Sequence, residues 1–321
     1  MKILITGGAG FIGSHLCDKY IREGHTVVCL DNFMSGNLMN IRHLLDCQNF
    51  KLIKGDIRDF DLLEKIMRDI EVVFHLAAQI HVDRSYIEPR LTYEVNVMGT
   101  QNILEAVRLF DTKKVIHAST SEVYGSALYV PIDEKHPLSA PHPYGASKTA
   151  ADRMCYAYIQ TYGMNISIVR LFNIFGPRQR DIGYGGVISI FTRRALSNMS
   201  PIIYGGGLQT RDYTYIDDAI TAYDLVLNHN EPIAEPINFG SGIEVSILDL
   251  ANTIIDLCGR KADMKPTHIE SRIGEVQRLI ADATKVKSLL KWAPKYSLDE
   301  GLKAFVQWYR DYGFEERIRL E

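Results

Sequence analysis

The stretch TGGAGFIG, Thr6 to Gly13, follows a short apolar run at 2–6 and opens a segment of helical periodicity at about 10–23. Glycines at 7, 8, 10 and 13 permit a tight strand-to-helix turn. They also allow the close approach of a pyrophosphate, whose charge then rests on the N–H groups of a helix N-terminus. A second apolar run, 26–31, ends on the carboxylate of Asp31, 18 residues beyond Gly13 (31 − 13 = 18), where it can accept hydrogen bonds from an adenosine ribose. Asn32 and Phe33 follow, with no Arg or Lys to receive a 2′-phosphate. The pattern predicts NAD rather than NADP.

Outward from this turn, β-branched runs alternate with longer helical periods, as in βαβ units around a buried parallel sheet. Strands are expected at 2–6, 26–31, 50–54, 72–76, 114–119 and 166–171, and helices at about 10–23, 59–69, 93–110 and 144–162. Together they predict an α/β fold, a doubly wound parallel Rossmann sheet over residues 1–172. From 173 the alternation breaks into glycine- and proline-containing stretches at 183–186, 205–207 and 231–236. A smaller C-terminal α/β substrate-binding domain is expected over 173–321, with segments that return to the sheet. Its helices are expected at 246–258, 284–290 and 298–312, and short strands at 202–204 and 236–238.

Composition narrows the classes of function. A chain of 321 residues, 46% hydrophobic and 23% charged, can bury its cores without disulfide or metal staples. Its 36 Lys and Arg against 39 Asp and Glu give a net charge of −3 with no polybasic block, which argues against nucleic-acid and anionic-membrane binding. The apolar runs are too short to cross a bilayer. Cys17, Cys29, Cys47, Cys155 and Cys258 are scattered and never spaced as CxxC. Neither a disulfide framework nor a zinc site is expected, and a cytoplasmic setting fits. His75, His81 and His117 lack metal spacing and are read as structural, so no metal is expected.

Tyr144 and Lys148 stand four apart in YGASK at the start of an expected helix, so their side chains share one face about a turn apart. A phenol, with its ordinary pKa of about 10, is a poor base near neutrality. An ammonium neighbour and a nicotinium cation favour its ionised form. Tyr144 can then take a proton from a sugar hydroxyl while the carbon beneath gives hydride to NAD. STSEVYG, Ser119 to Gly125, follows the fifth expected strand and brings hydroxyls and a carboxylate to the C-terminal sheet edge. Thr120 is expected to share the substrate hydroxyl with Tyr144, and Glu122 to act as acid or base on the adjacent carbon. Asp56, in GDIRD after the third strand, is expected to hold adenine through its side chain or the neighbouring amide.

With these motifs in order, the chain resembles the extended short-chain dehydrogenases that act on nucleotide sugars, the NAD-dependent epimerases and dehydratases. DNFMSG at 31–36, HLAAQ at 75–79, NVMGT at 96–100, LFNIFGPRQ at 171–179, QTRDYTYIDD at 209–218 and NFGSG at 238–242 extend the likeness over nearly the whole length. The resemblance implies a cofactor lining of Gly7, Gly10, Phe11, Ile12, Gly13, Asp31, Asn32, Asp56, Ile57, Leu76, Ala77, Ala78, Gln79, Asn96, Tyr144 and Lys148. It implies that Ser121, Asn173, Arg178, Arg211 and Arg272 face a nucleotide-diphosphate sugar, for which guanidinium forks suit the diphosphate. In relatives the helices equivalent to 93–110 and 144–162 pair across a homodimer. An internal core role explains Ile103, Val107, Tyr156 and Ile159 nearly as well.

C4 oxidation is shared by the family, and the next step sets the product. Glu122 stands where a 4,6-dehydratase needs a carboxylate to remove the C5 proton before water leaves C6 and hydride returns there. Thr120-Ser121-Glu122 is similar to GDP-mannose dehydratases, and HVDRS at 81–85 to dTDP-glucose dehydratases, although the latter carry Asp where this chain has Ser121. That leaves the proton donor to the departing hydroxyl unassigned. DNFMSG and GGVISIF, 185–191, look more like 4-epimerases of the UDP-glucose, UDP-GlcNAc or UDP-glucuronate type. UDP-glucuronate decarboxylases also carry Thr-Ser-Glu. The expectation is a dehydratase, with a 4-epimerase, a decarboxylase and a non-catalytic nucleotide-sugar and NAD-binding protein as alternatives in that order.

Overall fold

In a computed structural model, which describes residues 1–182, 185–271 and 275–313, each of the six expected runs forms a strand. These are β1 (Lys2–Thr6), β2 (Thr26–Asp31), β3 (Phe50–Lys54), β4 (Val72–His75), β5 (Lys114–Thr120) and β6 (Ile166–Leu171). The helices in the first half are α1 (Phe11–Arg22), α2 (Phe60–Met67), α3 (Val82–Ile87), α4 (Pro89–Tyr93), α5 (Gly99–Leu109) and α6 (Pro143–Tyr162). Later helices are α7 (Val187–Leu196), α8 (Ile216–Asn228), α9 (Ile247–Leu257), α10 (Thr284–Leu290) and α11 (Leu298–Trp308). The helix expected at 93–110 is interrupted. A π-helical turn, Glu94–Met98, separates α4 from α5 and sets Asn96 inward.

The main sheet has seven strands in the order Ile237–Phe239, β6, β5, β4, β1, β2, β3. The pairs among β1 to β6 are parallel, with Thr6 opposite Leu30 on one side and His75 on the other. The order reverses at β1 and β4, which opens a crevice at their C-terminal ends, directly above the glycine turn. The seventh strand comes from the stretch expected at 236–238 and returns to the sheet beside β6.

Alternation along the strands feeds two cores. Leu4, Val28, Leu30, Val73, Val115 and Ile168 point to one face and pack with Leu63 of α2, Ile103 and Val107 of α5 and Cys155 of α6. On the opposite face Phe74 stacks on Tyr20 of α1 at 5.1 Å and meets Tyr223 of α8 edge-on. Helices thus cover both faces, as a doubly wound sheet requires. Ile103 and Val107 belong to the core, and Ile159 packs against it.

The chain divides into two compact units. The first comprises 1–125, 137–171 and 220–237, and the second 126–136, 172–219 and 238–321. Within the second, Asp212 is a fully buried hub whose carboxylate accepts from the backbone of Ser241, Gly242 and Ala281 and from the Ser241 hydroxyl. It ties QTRDYTYIDD to NFGSG. Asp218 accepts from the amides of Lys295 and Tyr296, while its carbonyl receives the Trp292 indole N–H. Among the described residues no helix is long and apolar enough to cross a membrane.

Candidate active site

The glycine turn shows why small residues stand there. A Cβ on Gly13 would collide with the Gly7 carbonyl, and one on Gly7, at φ +71°, would lie 2.9 Å from the Ala77 nitrogen. At Gly10 a Cβ would meet nothing within 4 Å except the Gly7 oxygen at 3.0 Å. Space therefore lies over Gly10. Gly10 is also the N-cap of α1, and its lack of a side chain leaves the N–H groups that follow, from Phe11 onward, without a side-chain cap. Beside them, Asp31 accepts from the amides of Ala9 at 2.9 Å and Phe33 at 2.8 Å. Burial raises its carboxyl above the usual range, against the pull of those two amides. The room, the uncapped donors and the strand-end carboxylate fit a dinucleotide.

Asp56 is more committed than its motif suggests. Arg58 grips its carboxylate through Nε and Nη2, both at 2.9 Å, and Asn32 donates to it at 2.8 Å. The Arg58 hydrogen bond leads the effects that bring it down to about 2. An adenine contact here would fall to the neighbouring amide of Ile57, whose side chain is buried in the core.

A polar chain runs from β1 through the crevice wall. Thr100 donates its hydroxyl proton to the Asn96 carbonyl at 2.7 Å, so at His75 it accepts from Nε2–H at 3.0 Å. Thr6 donates to His75 Nδ1 at 2.8 Å and accepts from the Ala77 amide. Both nitrogens of His75 are satisfied in the neutral form, and burial pushes its pKa down to about 3. Asn96 then grips the loop after β4, accepting from Gln79 N at 2.7 Å while its amide donates to Gln79 O and to Ser147 of α6. Leu76, Ala77 and Ala78 lie on this loop, half-buried.

Tyr144 and Lys148 occupy the first turns of α6, both buried. Lys148 Nζ donates to the Ala118 carbonyl at 2.7 Å, which draws the helix against β5. Burial lowers its ammonium from the ordinary lysine range, opposed by Asp152 one turn on. The Tyr144 phenol is raised by burial and by the Glu122 carboxylate and is lowered by a hydrogen bond with Thr120. Thr120 ends β5 and caps the short 3₁₀ turn Ser121–Val123 by accepting from Glu122 N. Thr120, Glu122 and Tyr144 are thus brought together, Lys148 follows one turn along α6, and Ser121 is buried.

His142 joins this group without having been expected. It is the N-cap of α6, its ring lies parallel to that of Tyr144 at 6.0 Å, and its Nε2 is 3.2 Å from a Glu122 oxygen. The signal was available. His142 precedes the N1 proline of α6, where Ser, Thr, Asn or Asp is the usual capping residue.

Within the second unit, Asn173 and Arg178 adopt positive φ, 30° and 69°, a conformation uncommon outside glycine. Asn173 donates to the Asp212 carbonyl, and Arg211 Nη1 to the Thr210 carbonyl. Arg272 lies outside the described residues. A cavity of about 490 Å³ is lined by Tyr204, Gly205, Gly206, Leu208, Gln209, Ser271, Glu275 and Gln277. Among the described residues no cluster of His, Cys, Asp or Glu could hold a metal ion.

A family model described as GDP-mannose 4,6 dehydratase matches residues 4–305. The chain is 42% identical over 311 residues to a putative UDP-glucose 4-epimerase of Methanocaldococcus jannaschii, covering 96% of this chain and 98% of that protein. Among solved structures, the Thermotoga maritima UDP-glucose 4-epimerase with UDP-glucose is 36% identical with a TM-score of 0.92, covering 97% of this chain and 99% of that one. The Streptomyces venezuelae dTDP-glucose 4,6-dehydratase with NAD bound is 32% identical with the same TM-score, covering 98% of both chains.

Proposed function

Because the chain belongs to the GDP-mannose 4,6 dehydratase family, among the NAD-dependent nucleotide-sugar epimerases and dehydratases, we propose that it is a 4,6-dehydratase of a nucleotide-diphosphate hexose. The observation that carries this choice is the Glu122 carboxylate, held beside Tyr144 and Thr120 at the C-terminal end of β5. Simple inversion at C4 needs no such group.

The cofactor is NAD, which when bound supplies the acceptor and donor of the two electrons that leave C4 and return at C6. Asp31 and the uncapped N–H groups of α1 would hold its ribose and pyrophosphate, and Lys148 and the Gln79 loop would hold the nicotinamide end. Tyr144 takes the proton from the C4 hydroxyl, with Thr120 sharing that oxygen. The resulting ketone acidifies C5–H, and Glu122 removes that proton. Hydroxide then leaves C6, and C5 recovers a proton. In net terms the O4 proton and the C6 hydroxide depart as one water. Asn173, Arg178, Arg211 and Arg272 are the residues proposed for the diphosphate and nucleoside, whose charge guanidinium forks suit. Ser121 borders the sugar.

A second reading, a 4-epimerase, is favoured by the names of the M. jannaschii and T. maritima relatives. Incubation with UDP-, GDP- and dTDP-hexoses followed by mass spectrometry separates the two. Loss of one water is expected, an isobaric product would establish the epimerase instead, and loss of carbon dioxide from UDP-glucuronate would establish a decarboxylase. Tyr144→Phe should bind nucleotide sugar while losing turnover by about 10²–10⁴-fold. Unchanged substrates across the panel would leave only the binding-protein alternative. We further propose a homodimer formed through α5 and α6, where Leu109 and Tyr162 are exposed.

A further inference from the structure

We infer that His142 is a positioning residue for the Glu122 carboxylate, an assignment that rests on Glu122 acting at C5. His142 Nδ1 accepts from the Gly145 amide at 3.0 Å, satisfying one of the free donors of α6. A ring nitrogen that accepts carries no proton, so the proton of the neutral imidazole sits on Nε2. That atom faces Glu122 Oε2 at 3.2 Å and can only donate to it. The cap therefore fixes the tautomer, and the tautomer fixes the carboxylate.

Two further features hold the pair. His142 is 3% exposed at its side chain and Glu122 19%, so solvent competes little for the bond. The Tyr86 ring meets His142 edge-on while Tyr144 lies parallel to it on a plane tilted by only 8°, which fixes the imidazole plane. Gly145 supplies the close approach this requires, since a Cβ there would stand 2.9 Å from the Glu122 carbonyl and 3.1 Å from the His142 ring. The arrangement has a consequence for Tyr144 as well. Glu122's charge opposes ionisation of the phenol, and a donor that draws that charge toward Nε2 lessens the opposition.

His142→Asn separates capping from positioning. Asparagine is a good N-cap and keeps an acceptor for Gly145 N, yet it is too short to reach Glu122. In deuterated water the unsubstituted enzyme should place deuterium at C5 of its product. His142→Asn should lower kcat for water loss by roughly 10- to 100-fold with KM nearly unchanged, within what a positioned base contributes. The first oxidation, followed by nicotinamide absorbance in a single turnover, should persist. If the unsubstituted enzyme leaves C5 unlabelled, the dehydratase reading falls and this inference with it. If C5 is labelled and His142→Asn runs at the full rate, the inference alone is overturned. Nitrogen-15 spectra of the unsubstituted protein give an independent check, because a proton on Nδ1 of His142 instead of Nε2 also overturns it.

Discussion

In the proposed reaction Glu122 would decide more of the chemistry than any other single side chain, because Tyr144, Lys148 and Thr120 would serve every reaction that begins by oxidising C4. Replacing it with Gln keeps size and hydrogen bonding while removing the base. The expected result is a variant that oxidises its substrate once and accumulates the 4-keto sugar, with C5 deuterium exchange and water loss down by about 10²-fold or more. Full dehydratase activity in that variant would move the base elsewhere. Tyr144 and Lys148 were readable from their spacing, since a four-residue separation puts two side chains on one helix face whatever surrounds it. His142 was not. Its use depends on a carboxylate 20 residues away in sequence and on which ring nitrogen the helix end has already claimed. Asp56 was readable only in part, because its motif does not reveal that Arg58 and Asn32 occupy the carboxylate.

The turn between β1 and α1 separates two uses of glycine that look alike in sequence. Gly13→Ala drives a methyl into the Gly7 carbonyl and should destabilise the free protein by about 1–3 kcal/mol, as overpacking does. Gly10→Ala meets only the Gly7 oxygen, at 3.0 Å, so it should cost less stability than Gly13→Ala yet weaken NAD binding. Calorimetric melting together with NAD titration checks both, and equal effects on stability would contradict the account. Strands β1, β2 and β4 were legible because burial on both faces makes each a short apolar run bounded by turns, whereas β3 lies at the sheet edge with Lys51 and Lys54 exposed. Helices α7 and α8 were not, since each follows a stretch whose glycines or paired β-strands mask the start of the helical period. The π-helical turn was equally hidden, for the amphipathic period runs on through it while the backbone gains one residue.

Over the whole molecule, the buried imidazoles set a response to acid. His75 has a folded pKa near 3 against an ordinary value of 6.5, and burial also holds His117 well below its ordinary value. A depressed folded pKa means that the unfolded chain binds the proton first. The stabilisation is therefore complete above about pH 6.5 and drains away as pH falls toward 3, with His75 contributing on the order of a few kcal/mol. Urea unfolding at a series of pH values should show this decline, and His75→Gln should flatten it; an unchanged slope would remove His75 from the account. The path of the chain has a different consequence. The strand Ile237–Phe239 lies beside β6, yet about 65 residues of other structure separate the two along the sequence. During synthesis, β6 must wait at an open edge until that distant segment leaves the ribosome, so a fragment ending near residue 172 would expose unpaired backbone and tend to aggregate.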